Sequence, residues 1–261
     1  MYNINSGLIA LVLFASMVGL IELGFRLGRG RNHTATADSK THINTIQSAI
    51  LGILALILGF TFSLSLQRFD SRSEAVVAEA NAIGTTYLRA QLLPVSVRAD
   101  AQATLRDYID LRVQEGKVSL GNIEARQKLL AQAEQGQAAL WAYATKAAEL
   151  DPNPVHTGLF IQSLNDLIDN FGLREAALHR HVPEAVLLLL FLTFLLAGAV
   201  VGFSAGVASH RPAFATYLMV LLMTVLVFII LDLDHPRRGF VEVSQKSMVD
   251  LQVSVNKAKQ P

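Results

Sequence analysis

The sequence predicts an all-α integral membrane protein, with four transmembrane helices and a helical bundle inserted between the second and the third. Three observations lead there. Four apolar runs, Gly7 to Phe25, Ile43 to Leu66, Ala185 to Ser209 and Ala213 to Leu231, reach or exceed the roughly 20 residues a helix needs to cross about 30 Å of hydrocarbon. The stretch from Ala185 to Ala208 carries no charge and is broken only by Ser, Thr and Gly, whereas a soluble helix shows a polar face every 3.6 residues. Two runs lie on each side of a long polar stretch that reads as helix throughout.

Composition agrees and removes several classes of function. Apolar residues make up 52% of the chain and charged residues 16%, and 22 Lys plus Arg against 21 Asp plus Glu leave it almost neutral, so nucleic acid is not expected as a partner. The absence of cysteine rules out disulfides, thiolate metal sites and a Cys nucleophile.

Taken in order, the first run reads as a retained anchor. A secretion signal places basic residues before its apolar core, but Met1 to Ser6 has none and Arg26, Arg29 and Arg31 all follow, despite the small residues Ala35, Thr36 and Ala37. Glu22 near its end reads as a carboxylate leaning toward the interface. The second run continues out of the lipid without a break: Phe69, Val76, Val77, Ala80, Ile83, Tyr87 and Leu88 keep helical spacing up to Pro94.

Three further helices complete the insert. Leu105, Tyr108, Ile109 and Leu111 mark one, Ile123, Leu130, Ala133, Leu140, Trp141 and Ala144 the next, and Leu159, Leu164, Ile168 and Phe171 the last. Asp151-Pro152-Asn153-Pro154 separates the last two, because neither proline donates a helix hydrogen bond and each disfavours helix in the residue before it. Pro183 marks re-entry into the membrane. No window alternates strictly, so no strand is expected. The domains are therefore 1–66, a transmembrane pair; 67–183, the bundle; 184–231, the second pair; and 232–261, a tail whose Val241, Val243, Met248, Leu251 and Val253 suit docking on the bundle.

With 12 basic and 14 acidic side chains, the bundle has the surface of a solvated domain. Four crossings put both termini and the bundle on one side of the membrane. Arg26, Arg29, Arg31, Lys40 and Arg211 favour placing the bundle outside the cytoplasm, and Arg68, Arg72, Arg174, Arg180, Arg237 and Arg238 nearly cancel that bias.

Two small-residue patterns stand out inside the membrane. Thr45, Ser48, Gly52, Ala55, Gly59 and Ser63 step by three and four along the second span, which suits either close helix packing or the wall of a water-filled path. Gly198, Gly202 and Gly206 repeat every four residues on the third span, a signal for a tight helix crossing. Catalytic patterns are missing: there is no phosphate loop, nucleophile elbow or HExxH helix, and His179 and His181 point to different faces. An enzyme is not expected, nor a cofactor. Asp232 and Asp234, with His235, are weak candidates for a hard cation, and juxtamembrane charges that fix helix depth and cap the end with Arg237 and Arg238 are the better reading.

The stretch GFTFSLSLQRFDSRSEAVVAEANAIGTTYLRAQLLP, from Gly59 to Pro94, and the segment LDLDHPRRGFVEVS after the last span resemble the bacterial bestrophin-like membrane protein family, which is similar to the bestrophin anion channels. The residues that carry the likeness are Arg68, Asp70, Arg72, Glu79, Asn81, Thr85, Arg89, Leu93-Pro94 and the Asp232 to Gly239 segment, including Asp234 and Arg237. The order of two spans, helical insert, two spans and tail matches as well. The resemblance implies a homo-oligomer in the bacterial inner membrane, pentameric as in bestrophins, with the second helix of each subunit lining a pore for small ions, anions by likeness. It also implies a cytoplasmic bundle, against the short-loop charges. Bestrophins carry a dense acidic calcium clasp after the last span, of which only Asp232 and Asp234 remain here, and bulky side chains narrow their pore, for which Ile50, Leu54, Ile57 and Phe60 are eligible. The rival reading of the same architecture is a membrane-anchored sensor or assembly module whose bundle binds a ligand or partner.

Overall fold

A computed structural model describes residues 6–31, 36–236 and 239–257. Among the described residues eight α-helices follow one another: α1 (Ser6–Arg31), α2 (Ala37–Arg89), α3 (Val95–Lys117), α4 (Ile123–Leu150), α5 (Leu159–His179), α6 (Glu184–Val207), α7 (Phe214–Asp234) and α8 (Lys246–Lys257). No strand occurs among the described residues. Four helices there are long and apolar enough to cross a membrane.

The breaks fall where local chemistry puts them. After Arg89 one 3-10 turn, Ala90–Leu92, leads to Leu93 and Pro94, both extended, so α2 ends as the proline requires. Asn122 caps α4 by accepting the amide of Ala125 at 3.2 Å. Between α4 and α5, Asp151 accepts the amide of Asn153 at 3.1 Å and Asn153 accepts that of Val155 at 2.9 Å, leading into a π turn over Pro154–Gly158. Pro183 is extended and α6 begins at the next residue. Ser209, with φ 59°, follows the end of α6 in the left-handed region.

The chain divides into two compact units, residues 1–68, 181–235 and 239–241, and residues 69–180, 236–238 and 242–261. In the first, α1, the first part of α2, α6 and α7 bury Met17, Ile21, Leu54, Leu58, Leu190, Phe194, Val220 and Val227. Helices α1 and α6 run in close contact because their glycines leave room for it. A Cβ on Gly202 would overlap the carbonyl oxygen of Ile21, and one on Gly206 that of Phe25, while Gly24 meets Ala199 and Gly28 meets Phe203 in the same way. Gly198 faces Met17, whose Cγ would lie 2.9 Å from an added Cβ. Ser204 of α6 donates to Asn44 Oδ1 of α2 at 2.7 Å.

In the second unit the rest of α2, α3, α4, α5 and α8 enclose Ile83, Tyr87, Leu105, Tyr108, Ile109, Leu140, Phe160, Leu164 and Leu167. The tail adds Met248, fully buried, and Val255 to this core, and Val243 is buried too. Val241 and Val253 stay exposed, so only part of the tail's apolar pattern is used for docking.

Candidate functional site: the open face of the long helix and the charges behind it

Helix α2 has two unlike faces. Leu54, Leu58, Thr61 and Ser65, at helical spacing, are buried in the first unit's core. Thr45, Ser48, Gly52, Ala55, Gly59 and Ser63 are all exposed, and beyond the helix's own adjoining backbone none of the described residues comes within 4 Å of a Cβ built on Gly52 or Gly59. The hydroxyl of Thr45 bonds back to the carbonyl of Thr41 at 3.0 Å, so its polarity is satisfied without a partner helix. Among the bulky side chains, Leu54 points into the subunit's own core at 0% exposure, Ile50 and Ile57 are half-buried, and Phe60 stands out at 68%. Ile53 and Leu56 are exposed beside it and were not singled out from sequence. The signal for Ile53 was the seven-residue step Ile46, Ile53, Phe60, and Leu56 lies three residues beyond Ile53, one turn along the helix.

In the second unit the same helix leaves Asp70, Glu74, Asn81 and Thr85 exposed. The other charges of this segment are turned inward. Arg72, 1% exposed, donates from Nε to the carbonyl of Ala177 at 3.2 Å and from Nη2 to that of Arg180 at 2.6 Å, satisfying the C-terminal end of α5. Arg89 donates to the carbonyl of Leu159 at 3.0 Å, and Arg68 is half-buried.

Glu79 lies within a buried ionic cluster. It accepts Arg112 Nε at 2.7 Å and Nη2 at 3.3 Å, and also Nη1 of Arg174. Glu115 takes Arg126 Nε at 3.2 Å, with Arg112 Nη1 at 3.5 Å and Arg174 Nη2 at 3.4 Å. Glu175 closes the set, paired with Arg126 and, at 3.4 Å, with Arg112. Three arginines thus meet three glutamates, which is how charges survive out of water. The Arg112 guanidinium also lies 4.7 Å from the centroid of the Phe171 ring. Burial opposes its charge, and the Glu79 and Glu115 carboxylates outweigh that and hold its pKa above the usual arginine value. Burial, together with the Glu79 charge, pushes the Tyr108 phenol upward, while Gln137 donates to its oxygen at 3.0 Å. From sequence Glu79 was singled out and Arg174 was read only as a charge bearing on sidedness, while Arg112, Glu115, Arg126 and Glu175 were missed. The trace they leave is a charge within an apolar helical stripe, as Arg112 sits between Ile109 and Val113.

The segment after α7 is wired by backbone amides. Asp232 Oδ2 accepts the amides of Phe240 and Val241, both at 2.9 Å, and Gly239, at φ 145°, lies against that carboxylate where any Cβ would overlap it. Asp234 Oδ1 accepts the amide of Val182 at 3.0 Å, and its Oδ2 lies 3.3 Å from His181 Nδ1. Both carboxylates are buried and each gives one oxygen to backbone amides, whereas calcium takes six to eight oxygen ligands. Among the described residues no group of three His, Cys, Asp or Glu is placed to hold a metal. The donor set does not fit a calcium clasp. Arg237 lies outside the described residues.

Comparison with known proteins gives a consistent result. The Bestrophin-like domain family matches residues 9–248. Among curated proteins there is no match. Two crystal structures of a bacterial Bestrophin homolog from Klebsiella pneumoniae, each of a mutant, share the fold. One is 16% identical, with 95% of this chain and 97% of that chain covered at a TM-score of 0.66. The other is 15% identical, with 94% and 98% covered at 0.65. The four apolar helices, the helical insert and the family match over nearly the whole length lead to one assignment: this chain is a member of the Bestrophin-like family.

Proposed function

We propose that copies of this chain assemble in the bacterial inner membrane into an oligomeric ion channel whose wall is the open face of α2, with anions as the cargo that the family likeness favours. A ring of five, with the bundle in the cytoplasm, is the arrangement the bestrophin plan suggests. One observation carries the reading. The stripe from Thr45 to Ser63 is small, partly polar and uncovered by its own chain, and Gly52 and Gly59 face open space. A channel wall asks for such a surface, because polar groups and exposed backbone at membrane depth need water or protein beside them. Exposed Ile53, Leu56 and Phe60 supply bulk for a constriction on the same side.

Recording purified protein in planar bilayers tests the proposal. Current that changes amplitude in Gly52→Leu or Gly59→Leu supports it, and silence across voltages and salts removes it. Single-particle images in detergent give the subunit number.

A second reading, a sensor whose bundle binds a ligand, is favoured by a cavity of about 470 Å³ in the second unit. Lys117, Ser119, Glu242, Ser244 and Gln245 line it. Sidedness separates the two. A cysteine at exposed Gln135, in a chain with no other, would be labelled by an impermeant reagent in intact cells only if the bundle faced outward.

A further inference from the structure

We infer that Gln245, in the segment joining α7 to α8, is a positioning residue for α2, acting through Arg174 on Glu79; the inference deepens the reading of α2 as the channel wall and rests on it. The connection is short. Arg174 on α5 is 1% exposed and shares its guanidinium among three partners, Glu79 of α2, Glu115 of α3 at 3.4 Å and Gln245 of the tail. Nη1 donates to Glu79 of α2, and Nη2 donates to Gln245 Oε1 at 2.8 Å. Gln245 is itself held, since its Nε2 donates to the carbonyl of Val243 at 3.2 Å and its Oε1 rests where Gly116 has no side chain. A Cβ on Gly116 would come within 2.9 Å of that oxygen.

Without Gln245, the remaining acceptor of Arg174 Nη2 is Glu115 at 3.4 Å, a longer contact that draws the guanidinium toward α3. Glu79 then loses a well-placed donor, and the hold of the bundle on the extramembrane part of α2 weakens. A second tail contact acts on the same stretch of helix, where Leu251 Cδ1 of α8 lies 3.1 Å from the Cβ position of Gly84. The tail segment therefore reaches α2 at two levels, once through charge and once through shape.

Because the link is electrostatic, two substitutions at one position should act in opposite directions. Gln245→Ala removes the acceptor. Gln245→Glu replaces it with a carboxylate, which accepts from a guanidinium about twice as strongly as a neutral oxygen. A merely structural role for Gln245 would make both variants move the same way.

The test uses the full chain in detergent and in bilayers. Hydrogen exchange of the amides over residues 76–86 should speed up by about tenfold in Gln245→Ala, the factor a hydrogen bond to a charged group sets, and should slow in Gln245→Glu. Gly116→Ala, whose added Cβ would lie 2.9 Å from the Gln245 oxygen and 3.3 Å from its Cγ and Cδ, pushes that side chain aside from the other direction and should follow Gln245→Ala. Single-channel open probability should shift by at least about threefold, with opposite sign in the two Gln245 variants. Unchanged exchange in α2, or changes of the same sign in Ala and Glu, overturns the inference. Exchange that splits as described in a protein that passes no current for any variant supports the link to α2 and removes the channel reading instead.

Discussion

Two stripes of small residues, one on α6 and one on α2, give nearly the same signal in the sequence and meet opposite fates in the structure. On α6, Gly198, Gly202 and Gly206 are filled by the neighbour: Met17, Ile21 and Phe25 of α1 lie where side chains would be. On α2, Gly52 and Gly59 meet nothing. In lipid, where apolar surfaces gain little by associating, close backbone approach is one of the main ways to hold helices together, and α1 with α6 uses it fully. The α2 stripe contributes no such contact within the chain. What it meets outside the subunit is a second copy, a conducting path or lipid, and packing among the described residues does not account for its composition.

The contrast is broken most severely at α6. Gly202→Leu places a side chain where the backbone of Ile21 already lies, so the expected loss exceeds the roughly 1–3 kcal/mol of ordinary overpacking. Little folded protein should survive gel filtration in detergent. A Gly202→Leu protein that elutes and melts like the unmodified one would mean that α1 and α6 are not pressed together as described.

The same helix that leaves Gly52 uncovered hides Glu79, so a comparison of its acidic side chains comes next in size. Glu79→Ala leaves Arg112 and Arg174 buried without their main acceptor, at a cost of about 3–5 kcal/mol. Glu74→Ala, on the exposed side of the helix, should stay within about 0.5 kcal/mol. Thermal melts of the two variants side by side measure the difference, and equal melting points would place Glu79 in water.

The difference between these residues shows what the sequence could and could not reveal. Helix breaks at Pro94, Pro183 and the Asp151 to Pro154 run were legible because a proline or an Asx residue acts on its immediate neighbours. The four spans were legible because hydrophobic length is a local quantity. Glu79, Arg112, Arg174 and Gln245 lie up to 166 positions apart along the numbering, so no window contains their meeting. Arg72 was visible as a charge at the end of a span, but its engagement with two carbonyls at the end of α5 depends on how α5 packs. The small-residue pattern on α2 was visible, yet sequence left packing and pore lining side by side, since both ask for the same residues. Exposure is what separates α2 from α6, and exposure is a tertiary fact.

Ser204 gives a smaller effect between the same helices. Its hydroxyl reaches Asn44 of α2 at 2.7 Å, and the two residues border a cavity of about 110 Å³ with Lys40 and Ile43. Ser204→Ala should cost about 0.6 kcal/mol, the average for a hydrogen bond between membrane helices, read as a small drop in melting temperature with conductance unchanged. A large drop would mean that α2 is held to α6 chiefly by this polar contact rather than by Leu54 and Leu58.

The smallest expected effect on stability is also the most informative about function. Gly59→Leu adds a side chain into open space, so the stability of the folded subunit should change by no more than about 0.5 kcal/mol, with the better helix propensity of leucine working in its favour. If the face borders a conducting path, single-channel current falls while melting temperature and yield hold. If it is an interface between copies, the oligomer dissociates on gel filtration while the isolated subunit stays folded. If it only meets lipid, neither quantity moves, because one apolar side chain more is nothing to a hydrocarbon solvent. The three outcomes separate on two measurements, and they do so only because the structure leaves no neighbour at Gly59 to confuse a packing defect with a functional one.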